Sequence, residues 1–109
     1  MLKLNPGAVT NGKNLINDGK YALNTVWASN VPSDAQRTRA SEKQGETTLQ
    51  QWYLATDEAG VYVLPVGDFN RLHRSAINVA KREAEQNGAA EVVAGADELL
   101  DLMDRLNAC

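Results

Sequence analysis

The clearest pattern of apolar and polar positions lies towards the C-terminal end of the chain. Val92, Val93, Ala96, Leu99, Leu100, Met103 and Leu106 recur at three- and four-residue spacing, which is the stripe of an amphipathic helix. They predict a helix from Ala89 or Ala90 to about Leu106. Phe69, Leu72, Ala76, Ile77, Val79, Ala80 and Ala84 keep the same period and predict a second helix, from an N-cap at Asp68 to about Gln86. Only Asn87-Gly88 separates the two, so they must pack as an antiparallel hairpin or cross at an angle. Upstream the period changes. Residues 49–56 (LQQWYLAT) and 61–66 (VYVLPV) flank Asp57-Glu58-Ala59-Gly60, a four-residue turn with Gly where positive φ costs little. These are the marks of a β-hairpin. Pro65 lacks a donor, which puts its strand at an edge or ends it there. Trp52 and Leu54 fall on one face, Tyr53 and Ala55 on the other.

The N-terminal half carries weaker signals. Pro6, Gly7 and Gly12 among turn-forming Asn5 and Asn11 predict a mobile arm over residues 1–12. Residues 13–18 (KNLIND) predict a short helix with Leu15 and Ile16 turned inward and Gly19 as its stop. Tyr21, Leu23, Val26 and Trp27 follow at irregular spacing and suit docking onto another element. Residues 29–46 have only Val31, Pro32 and two alanines among polar neighbours and predict a polar loop, with room for one helical turn at the Ser33 cap. Long loops are often functional or disordered, so this segment is the first place to look for a binding surface. The expected fold class is therefore α+β and mostly helical: an irregular N-terminal part with a short helix, a β-hairpin, then two antiparallel amphipathic helices. Residues 1–109 form one domain in this reading. Its core is expected from Leu72, Ala76, Ile77, Val92, Ala96, Leu99, Leu100 and Met103, with Trp52 and Leu54 from the hairpin.

Composition agrees with a modest core. The 109 residues are 43% hydrophobic and 23% charged, with few aromatics, so aliphatic side chains must supply the packing. No apolar run approaches the length of a membrane span, and the opening MLKLNPGAVT lacks the apolar stretch and cleavage site of a signal peptide. The single cysteine, Cys109, has no internal partner, so disulfides play no part and a cytoplasmic setting is expected. Net charge is −3, distributed as +2 over residues 1–50, −1 over 51–88 and −4 over 89–109. A nucleic-acid-binding domain usually carries a basic stripe and a high pI; nucleic acid is not an expected partner. A helix-turn-helix over residues 70–106 would drive an acidic second helix towards phosphates. Arg71, Arg74, Lys81 and Arg82 on the first helix are better explained by pairing across to that acidic helix.

Candidate chemistry is sparse. His73, the only histidine, has Ser75 two positions on, but on a helix the two diverge by about 200° and cannot form a nucleophile–base pair. The expectation is a structural histidine at the edge of the core. Asp97, Glu98, Asp101 and Asp104 lie at helical spacing and read as a solvated face. One histidine and one terminal cysteine do not make a zinc site, so no metal and no cofactor is expected. Residues 66–69 (VGDF) lead from strand to helix, but Asp68 would repel an anion at that helix start.

From Lys13 to Leu106 the order of features resembles a small domain of unknown function from tailed-phage and prophage genes, some copies of which lie near, or are fused to, prohead-maturation proteases. The resemblance rests on LINDGK followed by Trp27, on Trp52-Tyr53-Leu54, on VYVLPVG, on HRSAI opening a basic helix, and on GADELLDLMDRL. It implies genomic company, not a mechanism; the function expected first is a non-enzymatic interaction or assembly protein of phage or mobile-element origin, in the cytoplasm of a bacterial host or associated with the virion. No protease residue carries over, since the resemblance is to the accessory domain. A protein partner or self-association is the first expectation. The alternative is a small-molecule-binding domain with an aromatic-lined pocket between hairpin and helices, for which Tyr21, Trp27, Trp52 and Tyr62 are the candidate lining.

Overall fold

The computed structural model describes residues 2–107; Cys109 lies outside them. In chain order the elements are β1 (Lys3–Leu4), α1 (Pro6–Asn17), β2 (Tyr21–Ala22), a 3-10 turn (Trp27–Ser29), α2 (Asp34–Gln44), α3 (Glu46–Gln50), β3 (Tyr53–Thr56), β4 (Tyr62–Pro65), β5 (Leu72–His73), α4 (Arg74–Gln86) and α5 (Ala90–Asn107). The α+β class, dominated by helix, is the one the periodicity predicts. α4 and α5 pack on each other, and α5 also receives α1, β1 and β3. β1, β3 and β4 form an antiparallel sheet in that order, with Leu4 opposite Ala55 and Ala55 opposite Val63. β2 and β5 form a separate parallel pair, Tyr21 opposite Leu72 and Ala22 opposite His73.

The apolar stripes do what their spacing predicts. Leu72, Ala76, Ile77, Val92, Ala96, Leu99, Leu100 and Met103 are all buried, and so are Trp52 and Leu54. Two members of the stripes are not: Val79, midway along α4, and Leu106, at the end of α5, are exposed. The pairing of basic and acidic helices holds for two of the four basic residues, through Lys81–Asp97 at 2.7 Å and Arg74–Asp104 at 3.2 Å, while Arg71 falls before α4. Contact with Asp97 pushes the Lys81 ammonium above its ordinary range. The hairpin turns as expected, with the Asp57 carboxylate accepting the backbone N–H groups of Ala59 and Val61. β3 is shorter than its apolar run because Leu49 belongs to α3.

Three expectations need correction. The arm expected over residues 1–12 is docked: Lys3 and Leu4 extend the sheet, and a helix starts at Pro6 and runs through the predicted short helix to Asn17. Proline suits the first helical position, where no N–H is needed. Gly12, read as a breaker, is a close-approach residue, since a Cβ there would collide with the Leu99 side chain. α1 can lie that near α5 only because the position carries no side chain, and Ala8, Val9 and Ile16 are buried as a result. The polar loop expected over residues 29–46 is mostly helix. α2 starts at a capping box in which Ser33 Oγ accepts the Gln36 N–H while Gln36 Oε1 accepts the Ser33 N–H. It buries no residue, so it has no apolar stripe for periodicity to reveal. Finally, the helix expected from an Asp68 cap begins five residues later, at Arg74 after a His73 cap, because Asp68 organises a tight loop instead.

The close fit of α1 on α5 makes Leu99 a sensitive core position. Leu99→Ala is expected to cost about 2–5 kcal/mol in denaturant unfolding. A loss under about 0.5 kcal/mol would place Leu99 at the surface and refute the packing described.

Candidate functional site

The loop between β4 and β5 carries a polar network centred on Asp68. Gly67 pairs with Leu72 across it, and a Cβ on Gly67 would strike the Trp52 ring and the Arg71 carbonyl; only glycine lets the chain turn so tightly over the indole. Asp68 fills the loop. Its Oδ1 accepts the N–H groups of Asn70 at 3.0 Å and Arg71 at 2.7 Å, and its own N–H donates to the Arg71 carbonyl. Phe69 between them takes a left-handed backbone, φ +66°, an unfavourable conformation for a bulky residue. The cost is offset by that carboxylate and by burial of the Phe69 ring edge-on to Trp52, 6.1 Å between centroids.

Asp68 Oδ2 reaches a third donor. His73 Nε2 lies 2.9 Å from it, and on the other side of the ring Nδ1 lies 2.7 Å from Thr25 Oγ1. His73 is fully buried, and Trp27 covers its ring at 5.3 Å. Burial pushes the Asp68 carboxyl pKa up, but hydrogen bonds from His73 and from the Arg71 and Asn70 N–H groups outweigh it and hold the group below the usual aspartate value. An ionised carboxylate only accepts, so Nε2 carries a proton; in the neutral ring Nδ1 is then the acceptor and Thr25 the donor. Hydroxyl, imidazole and carboxylate thus stand in series across 48 residues of sequence. Expected at the edge of the core, His73 instead sits inside the protein, fully buried. Ser75 plays no part: its Oγ is buried without a hydrogen-bond partner among the described residues.

The four aromatic candidates each sit on a different partner. Tyr21 lies in β2, where its hydroxyl accepts from Asn107 Nδ2. Trp27 covers His73, Trp52 meets Phe69, and half-buried Tyr62 pairs with Thr56 at the turn end of the hairpin. The cavities that follow are lined by other residues. A polar cleft of about 260 Å³ opens beside Asp68, between the loop that ends the 3-10 turn, the start of α2 and Asn70. Separately, an apolar groove of about 410 Å³ runs between α1 and α5, floored by Leu4, Pro6, Val9, Ala94 and Gly95, with Glu91 and Glu98 beside it.

Thr25 and Asp68 are the residues that sequence reasoning missed. The pairing of β2 with β5 and the tight 67–72 loop bring them to His73, and nothing local announces either contact. Among the described residues no set of His, Cys, Asp and Glu side chains converges as a metal site, and no helix is long and apolar enough to cross a membrane. Comparison with protein-family models, with curated proteins and with solved structures finds no match.

The Asp68 carboxyl ties the network to pH. Its folded pKa is depressed, so its contribution is present above the unfolded value near 4 and is lost as pH falls through the lower folded value. Asp68→Asn is expected to lower stability at pH 7 by about 1–3 kcal/mol and to flatten the acid limb of the stability–pH curve. A variant with unchanged stability and an unchanged acid limb would show that the carboxylate holds nothing together.

Proposed function

We propose that this chain is a non-enzymatic interaction module that docks a partner protein in the groove between α1 and α5. The observation that carries the reading is the groove itself: an apolar floor large enough for several side chains, left open between two helices that are otherwise closely packed. Standing apolar surface of this kind usually marks an interaction site. Its charges specify the partner. Glu91 and Glu98 lie two helical turns apart beside an apolar floor, and α5 continues with Asp101 and Asp104. An amphipathic segment with apolar anchors between lysines or arginines complements that pattern. Glu98 already pairs with Lys13 at 2.9 Å, so a partner cation competes for it, while no such pair is seen for Glu91 among the described residues.

The Thr25–His73–Asp68 series favours this reading over an enzymatic one. A base in acyl transfer must return its proton to a leaving group. The His73 ring has no exposed surface, so a leaving group has no route to either nitrogen, and the network serves as a lock between two segments. In the setting that the sequence resemblance suggests, the partner is a phage head-assembly protein and the compartment is the host cytoplasm; both belong to the proposal. The acidic surface of α5 argues against nucleic acid as the partner.

The test uses a fluorescein-labelled amphipathic peptide with leucine anchors flanked by lysines, and a second in which glutamates replace the lysines. The lysine peptide is expected to bind, to shift the amide resonances of Thr10, Ala94 and Gly95, and to lose about tenfold in affinity against Ala94→Arg. Equal binding of the two peptides, or shifts that leave those three amides unmoved, overturns the groove as the docking site.

A further inference from the structure

The polar cleft beside Asp68 is separate from the α1–α5 groove, and its lining has an unusual balance of hydrogen-bonding capacity. The Asp68 carboxylate faces it with three of its roughly four lone-pair sites already used, by Asn70 N–H, Arg71 N–H and His73 Nε2. It is a fixed, ionised acceptor with one site to spare. Asn30 donates its Nδ2 to the Val26 carbonyl at 2.7 Å, which leaves its Oδ1 as a further acceptor. Gln36 spends its Oε1 on the Ser33 N–H at 2.8 Å, which leaves its Nε2 as a donor. The Asn70 carboxamide has no partner among the described residues and offers both functions, as does the Ser29 hydroxyl. All five line one cleft of about 260 Å³.

We infer that this cleft recognises a neutral polyhydroxylated ligand, a monosaccharide unit being the size that fits. Each sugar hydroxyl donates once and accepts up to twice, so adjacent hydroxyls match a lining in which acceptors and donors alternate. A simple cation would satisfy Asp68 and leave the Gln36 amide facing a like-signed group, while an anion would meet the Asp68 charge. Hydroxyl donors to an ionised carboxylate are among the stronger hydrogen bonds available to a neutral ligand.

Two further features show that the site is held in place. Asp68 is anchored from behind by the His73–Thr25 series, so its carboxylate pays little to be ordered when a ligand arrives. The left-handed Phe69 turns the chain so that Asp68 and Asn70, on either side of it, present to the same cleft while the Phe69 ring goes into the core. Strained backbone that aims two polar side chains at one cavity is a recurrent feature of binding sites.

The proposal is tested by titrating the intact protein with D-glucose, D-galactose and N-acetylglucosamine while following backbone amide resonances. At least one sugar is expected to give saturable shifts at Asn30, Gln36, Asp68 and Asn70, with a dissociation constant of about 1 mM or tighter. Asn70→Ala removes an exposed side chain with no internal bond, so it should fold like the parent protein and bind that sugar about tenfold more weakly. Asp68→Asn is a poorer probe because it also loosens the loop. Saturable shifts confined to residues outside the cleft, or unchanged affinity in Asn70→Ala, overturn the assignment. So does saturation by n-butylammonium where all three sugars fail, which would make the cleft a cation site. Because the peptide test reads Thr10, Ala94 and Gly95, failure of one proposal leaves the other standing.

Discussion

The structure depends on the burial of one face of α5. Val92, Ala96, Leu99, Leu100 and Met103 are all buried, and burying each large aliphatic side chain is worth about 1.5–3 kcal/mol. No other element offers a comparable continuous face, so α1, α4 and the sheet each find their place by covering part of it. The limit is geometric as much as energetic. α1 reaches Leu99 only because Gly12 has no side chain, and the α4–α5 pair closes in register because Asn87-Gly88 permits one tight reversal. Ion pairs between helices, such as Lys81–Asp97, orient these contacts at the rim, where solvent screening keeps each worth little.

A second principle organises the 67–73 loop and the segment packed on it. There the chain is too polar and irregular to be held by apolar burial alone, and one carboxylate substitutes for it. Asp68 gathers two backbone N–H groups of its own loop and one imidazole, and through Thr25 it fastens the segment between β2 and α2 to the start of α4. The buried histidine is tolerated because both ring nitrogens are satisfied; a buried polar ring with one nitrogen orphaned would be costly. Trp27 completes the enclosure, which is why an aromatic residue in irregular sequence is buried while its neighbour Val26 is 66% exposed.

The two surfaces proposed for recognition follow from these two modes of construction. The groove lies where rigid helices meet incompletely, and suits an apolar anchor. The cleft lies where hydrogen bonds hold loops and a helix with no buried face, and suits a small polar ligand. α2 is secured by its capping box, by Arg37 bonded to Glu46 and the Tyr53 hydroxyl, and by Gln44 donating to the Phe69 carbonyl. Such a helix opens at lower free energy than the core, so the cleft can admit a ligand without disturbing α5.

What the sequence determined by itself is whatever depends on spacing along one element. The stripes of α4 and α5, the Asp57–Gly60 turn and the matching of basic to acidic helix faces were all legible, because the helix period converts residue order directly into facing direction. The tertiary structure decided the rest. Glycine at position 12 reads as a breaker until Leu99 is seen against it, and α2 reads as a loop because a helix without an apolar face leaves no periodic trace. Asp68 reads as a helix cap, since its real partners, His73 and through it Thr25, are brought within reach only by the β2–β5 pairing and the Gly67 turn. Thr25 and His73 are 48 residues apart, and a hydrogen bond over that distance is a property of the folded chain, with no local pattern to encode it.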